Sequence, residues 1–135
     1  MSSIIRFSES SPKNERLVLS NQGMDCFLEL LLCAAADFEQ TGHRKELISF
    51  LEDRKELNDA APGTADFDIV ELPWKEESLS EDVRFLLQII QAAGTEPVLS
   101  RLPYEINREI VLPRLEQFGS MIERMMPEKG GSSPV

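Results

Sequence analysis

The densest apolar stretch of the chain is Met24–Gln40, MDCFLELLLCAAADFEQ. Set at 100° per residue, Asp25, Glu29, Asp37 and Gln40 share one arc about a third of the circumference wide, with Cys26 and Cys33 near its middle. Outside that arc only Glu39 is polar. A helix apolar over most of its circumference needs cover from several neighbours, so 24–40 predicts the central helix of a core. Thr41-Gly42 predicts its end, glycine being the usual residue of the left-handed turn past a helix. The unbroken apolar run, Leu30–Ala36, is too short for a membrane span, which takes about 18 residues.

The remaining pattern places further elements around that helix. A second helix is expected from His43 to Leu57, with Leu47, Ile48, Phe50, Leu51 and Leu57 inward, antiparallel to the first because the link is short. Asn58–Asp66 carries Pro62-Gly63 and reads as a loop. In Phe67–Trp74 (FDIVELPW) large apolar side chains pin a short extended segment that Pro73 stops. Ser78-Leu79-Ser80-Glu81 matches a capping box and opens a helix to Ala93, with Leu79, Val83, Leu86, Leu87, Ile90 and Ala93 on its apolar face. Thr95–Tyr104 is a connection or a short helical turn. The last helix runs from Glu105 or Asn107 to Met126, with Ile106, Ile110, Leu115, Phe118, Ile122 and Met125 inward, and Pro113 should bend or split it. At the other end, Ser2–Ser8 and Arg16–Ser20 flank a polar turn and predict either a short β-hairpin or an extended arm. The fold class is therefore mainly α: a compact bundle of about four helices around 24–40. Residues 1–126 form a single helical domain, and 127–135 (PEKGGSSPV) a flexible tail.

Composition narrows the setting. With 135 residues, 41% hydrophobic and 28% charged, the chain is large and apolar enough to build a core without disulfide or metal staples. The start, MSSIIRFSES, lacks the pattern of a secretory signal. Cys26 and Cys33 would stand roughly 10 Å apart on one helix, beyond disulfide reach. Two buried free thiols suit a reducing, cytoplasmic setting.

Charge is more informative. Of a net −10, residues 59–82 hold −7: Asp59, Asp66, Asp68, Glu71, Glu76, Glu77, Glu81 and Asp82 against Lys75 alone. Such a field repels nucleic acid and anionic membranes and draws cationic partners. The plainer reading of a charge run is a solvated loop.

The chemical signatures that would mark an enzyme are missing. His43 is the single histidine, and spacing gives it no partner. Cys26, Cys33 and His43 make a poor zinc set; no calcium loop, Walker A or dinucleotide glycine pattern occurs, and the basic residues are dispersed among acids. Asp66 and Asp68 share a face if extended, but nothing is spaced to help them in acid–base work or metal binding. No cofactor is expected.

In size, charge and missing chemistry the chain is similar in general character to bacterial immunity proteins, which bind cationic toxins, commonly nucleases. That likeness implies a non-catalytic inhibitor of a basic partner. Its binding residues are then expected at Asp66, Phe67, Asp68, Glu71, Trp74, Glu76 and Glu77, aromatics at the centre and acids at the rim. Trp74 reads either as a hot spot or, on the average burial of tryptophan, as a core anchor. The alternatives are a homodimer or larger assembly joined through the 79–93 helix face and, behind it, an enzyme using the carboxylates.

Overall fold

The computed structural model describes residues 2–126, so the expected tail at 127–135 lies outside the described residues. In chain order the elements are β1 (Ser2–Arg6), β2 (Leu17–Ser20), α1 (Asn21–Ala35), α2 (His43–Ala60), β3 (Phe67–Asp68), α3 (Leu79–Ala93), α4 (Glu96–Leu99) and α5 (Arg108–Glu123). The fold is mainly helical, with a small sheet at one side. No helix among the described residues is long and apolar enough to cross a membrane.

The central helix is α1. Met24, Phe27, Leu28, Leu30, Leu31, Ala34 and Ala35 are buried along it, because α2, α3, α4 and the sheet all pack against it. Ser20 caps its start by accepting the Gly23 N–H at 3.0 Å. The helix ends at Ala35, earlier than the sequence predicts. Asp37 and Phe38 turn back on the carbonyls of Ala34 and Ala35, and the Phe38 ring leaves the helical path to meet Phe85 edge-on at 6.0 Å. Gln40 Nε2 donates to the Ala35 carbonyl at 2.8 Å, satisfying one of the terminal acceptors. Gly42, with φ of 58°, is thus the entry to α2 and not the exit from α1.

The N-terminal alternatives resolve as a hairpin. β1 and β2 are antiparallel, with Ser2 opposite Ser20 and Ile5 opposite Leu17. The expected extended segment at 67–74 supplies a third strand: β3 pairs parallel to β1, Phe67 beside Ile5, giving the order β2-β1-β3. Strand alternation sends Ser3, Ile5, Leu17, Leu19 and Phe67 inward, all buried. It leaves Arg6, Val18 and Asp68 on the outer face.

Two local expectations give way to tertiary packing. Ser78 ends a 3-10 turn, Glu76–Ser78, that runs straight into α3, and its side chain makes no cap. Its hydroxyl donates instead to Asp82 Oδ2 at 3.2 Å, so the predicted Ser78–Glu81 box is not formed. α5 passes through Pro113 as one helix. Pro113 and Glu109, whose carbonyl loses its donor, are both exposed, so water can replace the missing bond. The inward stripe of α5 is Val111, Leu115, Phe118 and Ile122. Ile110, expected inward, is 47% exposed.

The buried apolar side chains form one cluster. At its centre four rings meet edge-to-face in series, Phe50 to Phe67 at 5.4 Å, Phe67 to Phe118 at 6.4 Å and Phe118 to Phe27 at 5.1 Å, joining the sheet to three helices.

Candidate functional site

The residues that sequence singles out in 59–82 divide into three groups. The first lies on the outer face of the sheet. Asp66 Oδ1 accepts the Ile4 N–H at 2.8 Å, and Asp68 Oδ1 takes the Arg6 Nε at 2.6 Å. Glu71 accepts the Asp68 N–H at 3.2 Å. With Ile4 and Arg16 these side chains line a hollow of about 230 Å³. The carboxylate of Asp68 raises the Arg6 guanidinium further above its already high range, so the guanidinium stays charged at any ordinary pH. Val18, on the outer face of β2, is exposed, and the exposed Val70 lines an adjoining hollow with Arg6, Asp68 and Glu71.

The second group is internal. Phe67 is 2% exposed, so as folded it is a core residue and not the contact surface that sequence assigns to it. The cause is strand alternation: beside Ile5, Phe67 faces the helices while Asp66 and Asp68 face out. Trp74 is half-buried against the core, and its indole N–H donates to the Ile69 carbonyl at 2.8 Å. It serves as an anchor that leaves part of the ring at the surface.

The third group is exposed. Glu76 and Glu77 stand on their 3-10 turn, followed by Glu81 in the first turn of α3. None of the three has an ion pair among the described residues, and Lys75, the single base of the block, is 3.7 Å from Glu46.

Sequence reading missed a pairing at the start of α2 and α3. His43 Nε2 lies 3.2 Å from Asp82 Oδ2, and its Nδ1 lies 3.5 Å from Glu46 Oε2. The His43 and Asp82 side chains are 11% and 5% exposed. They line a hollow of about 400 Å³ with Thr41, Arg44 and Arg84. Among the described residues neither ring nitrogen of His43 has a hydrogen-bond partner, so the approach to Asp82 is a close electrostatic contact. Ser78, however, donates to the carboxylate and not to the imidazole, so the Ser–His–acid order of a nucleophilic triad is not assembled. Spacing carries no trace of this pair, because its members come from different helices.

A larger groove of about 500 Å³ lies between the first turn of α1 and the last turn of α2, bounded by Cys26, Pro62 and Tyr104. Cys26 and Cys33 are free and half-buried. Burial pushes the Cys26 thiol up, so it is neutral and a poor nucleophile at pH 7. Burial, with Cys26 and Glu29 adding to it, likewise raises the Tyr104 phenol, which donates to Glu29 Oε1 at 3.2 Å. Among the described residues no group of three or more His, Cys, Asp or Glu side chains is placed to hold a metal ion. In comparison with known proteins, the chain matches no family model, no curated protein and no solved structure.

Proposed function

We propose that this chain is a non-catalytic protein-binding module whose acidic flank docks on a basic partner, as an immunity-type inhibitor covers the cationic face of a toxin or nuclease. One observation carries the reading: the division of labour among the carboxylates of 59–82. Asp59, Asp66, Asp68 and Asp82 each have a partner within the chain, at Lys55, the Ile4 amide, Arg6 and His43 respectively. Glu76, Glu77 and Glu81 are exposed on one short stretch with no ion pair among the described residues. They sit beside the partly exposed Trp74, and Val70 is 45% exposed nearby in sequence. Exposed acids without an ion pair suit a cationic protein surface, where charge sets the encounter rate. Phe67 takes the role of scaffold. Two free thiols make a reducing, cytoplasmic setting part of the same proposal.

Self-association through 79–93 has less to draw on, because Val83, Phe85, Leu86, Ile89, Ile90 and Ala93 are already buried within the protein.

The test begins with capture of partners from host lysate at low and high salt. A recovered basic protein is then bound to the triple charge reversal Glu76→Lys, Glu77→Lys, Glu81→Lys. Slower association, most marked at low salt, is expected. An association rate unchanged by the three reversals removes this flank from the reading.

A further inference from the structure

α3 and α5 run antiparallel, and glycines lie along their seam. A Cβ added at Gly94, just past the end of α3, would fall 3.2 Å from Leu112 Cδ2, and one added at Gly119 would fall 3.7 Å from Ile90 Cγ2. With no side chain at either position, an open groove of about 390 Å³ remains between the two helices. Its apolar lining is Leu87, Ile90, Leu112 and Leu115. Ile90 and Leu115 are buried and form a floor, whereas Leu112 is 40% exposed, an apolar wall open to solvent. An exposed apolar patch edged by polar side chains marks an interaction surface.

The edge of this groove is acidic. Glu116 and Glu123 line it and are exposed, and neither has an ion pair among the described residues. Seven apart on α5, they stand two turns from each other along one edge. Gln91 and Ser120 are the polar lining side chains beside them, so the charged lining is acid alone. That sign opposes a second copy, which carries a net charge of −10 and would set its own glutamates against these. The same field repels an anionic membrane surface. A cationic occupant is complementary.

The shape points to a helix. From Leu112 to Glu123 the groove follows α5 for about 16 Å, at 1.5 Å per residue, the length of about three helical turns. A seam between two packed helices accepts the ridge of a third laid along it.

We infer that the α3–α5 groove docks an amphipathic basic helix of a partner protein. The apolar stripe of that helix lies on Leu87, Leu112 and the glycine seam, and its lysines or arginines lie over Glu116 and Glu123. Glu76, Glu77 and Glu81 are not part of the lining, so this surface stands or falls without the acidic flank.

The experiment titrates the full chain with a synthetic helix of roughly fourteen residues, leucines on one face and lysines on its edges, followed by NMR. It is run at about 0.15 M salt, where distant charges are screened. Saturable shifts of the Leu87, Gly94, Leu112 and Gly119 amides are expected. A peptide of the same composition in scrambled order keeps the charge and loses the stripe, and a version with glutamates on its edges keeps the stripe and loses the charge. Both should bind at least tenfold more weakly. The exposed reversals Glu116→Lys and Glu123→Lys together should weaken binding about tenfold, as should Leu112→Lys, which spoils the apolar wall alone. Reversal of Glu76, Glu77 and Glu81 should weaken it less than the Glu116 and Glu123 pair does. Melting curves show that each variant is folded. Four results would each overturn the inference: no saturable binding of the lysine-edged helix, equal binding of the scrambled peptide, shifts confined to 76–81, or groove shifts on dilution of the free chain, which would seat a second copy there.

Discussion

His43 Nε2 and Asp82 Oδ2 lie 3.2 Å apart and tie the first turn of α2 to the first turn of α3. The carboxylate also accepts the Ser78 hydroxyl and sits near the N-terminal pole of α3, where negative charge is favoured. Asp82→Ala removes the carboxylate that faces the His43 imidazole and leaves the Ser78 hydroxyl without its acceptor. A loss of about 1–3 kcal/mol is expected in urea unfolding. Ser78→Ala, which removes one weaker bond and keeps the buried pair, should cost less.

Phe67 supports the acidic flank from inside. Its ring touches Phe50 and Phe118, so Phe67→Ala opens a cavity where three elements meet and should cost about 3–5 kcal/mol. The milder Phe67→Leu separates scaffold from contact. It should lower the melting temperature yet leave affinity for a captured basic partner unchanged, whereas reversal of Glu76 and Glu77 should do the opposite. Equal loss of affinity from both would place Phe67 back in the interface.

These two sites also show how far the sequence is legible. Helix positions follow from local periodicity, and α1, α2, α3 and α5 are found where the apolar spacing puts them. Their ends do not follow, because contacts distant in sequence decide them: Phe38 leaves α1 for Phe85, and Ser78 leaves its cap for Asp82. Of the expected binding residues, the outward Asp66 and Asp68 and the inward Phe67 are separated by a two-residue strand. Its pairing with β1 spans most of the hairpin, α1 and α2, and no local signal encodes it. The His43–Asp82 pair was beyond reach for the same reason.

Three glycines should respond differently to alanine. At Gly119, inside α5, an added Cβ meets Ile90 and Leu87 carbons at 3.7 and 3.8 Å, ordinary contact distances. Gly119→Ala should therefore stabilise by about 0.5–1 kcal/mol through helix propensity. At Gly42 there is open space but φ is 58°, so Gly42→Ala should cost about 1–2 kcal/mol in backbone strain. At Gly23 the Cβ falls 2.8 Å from Arg114 Nη1 and 3.0 Å from the capping Ser20 Oγ. Gly23→Ala should destabilise by disturbing that cap, whose loss is worth about 1 kcal/mol. Melting curves of the three variants give the signs directly.

The Cys26 thiol offers a reading of the α1–α2 groove from its wall. Burial is the main force on it, holding the thiol above the ordinary range; Glu29 and Asp25 push the same way, while Tyr104 and Arg114 oppose. A raised value means that the neutral thiol persists to higher pH than in a free cysteine, and alkylation requires the thiolate. In a Cys33→Ser variant, which leaves Cys26 as the one cysteine, iodoacetamide labelling at pH 7–8 should be slower than that of a free cysteine. Its pH–rate midpoint should lie above that of the free amino acid derivative. Unfolding in urea removes the burial, and the midpoint should then fall to the free value. A midpoint at or below the free value in the folded protein would mean that Arg114 and Tyr104 outweigh burial, and the groove wall would be more open and more positive than its packing indicates.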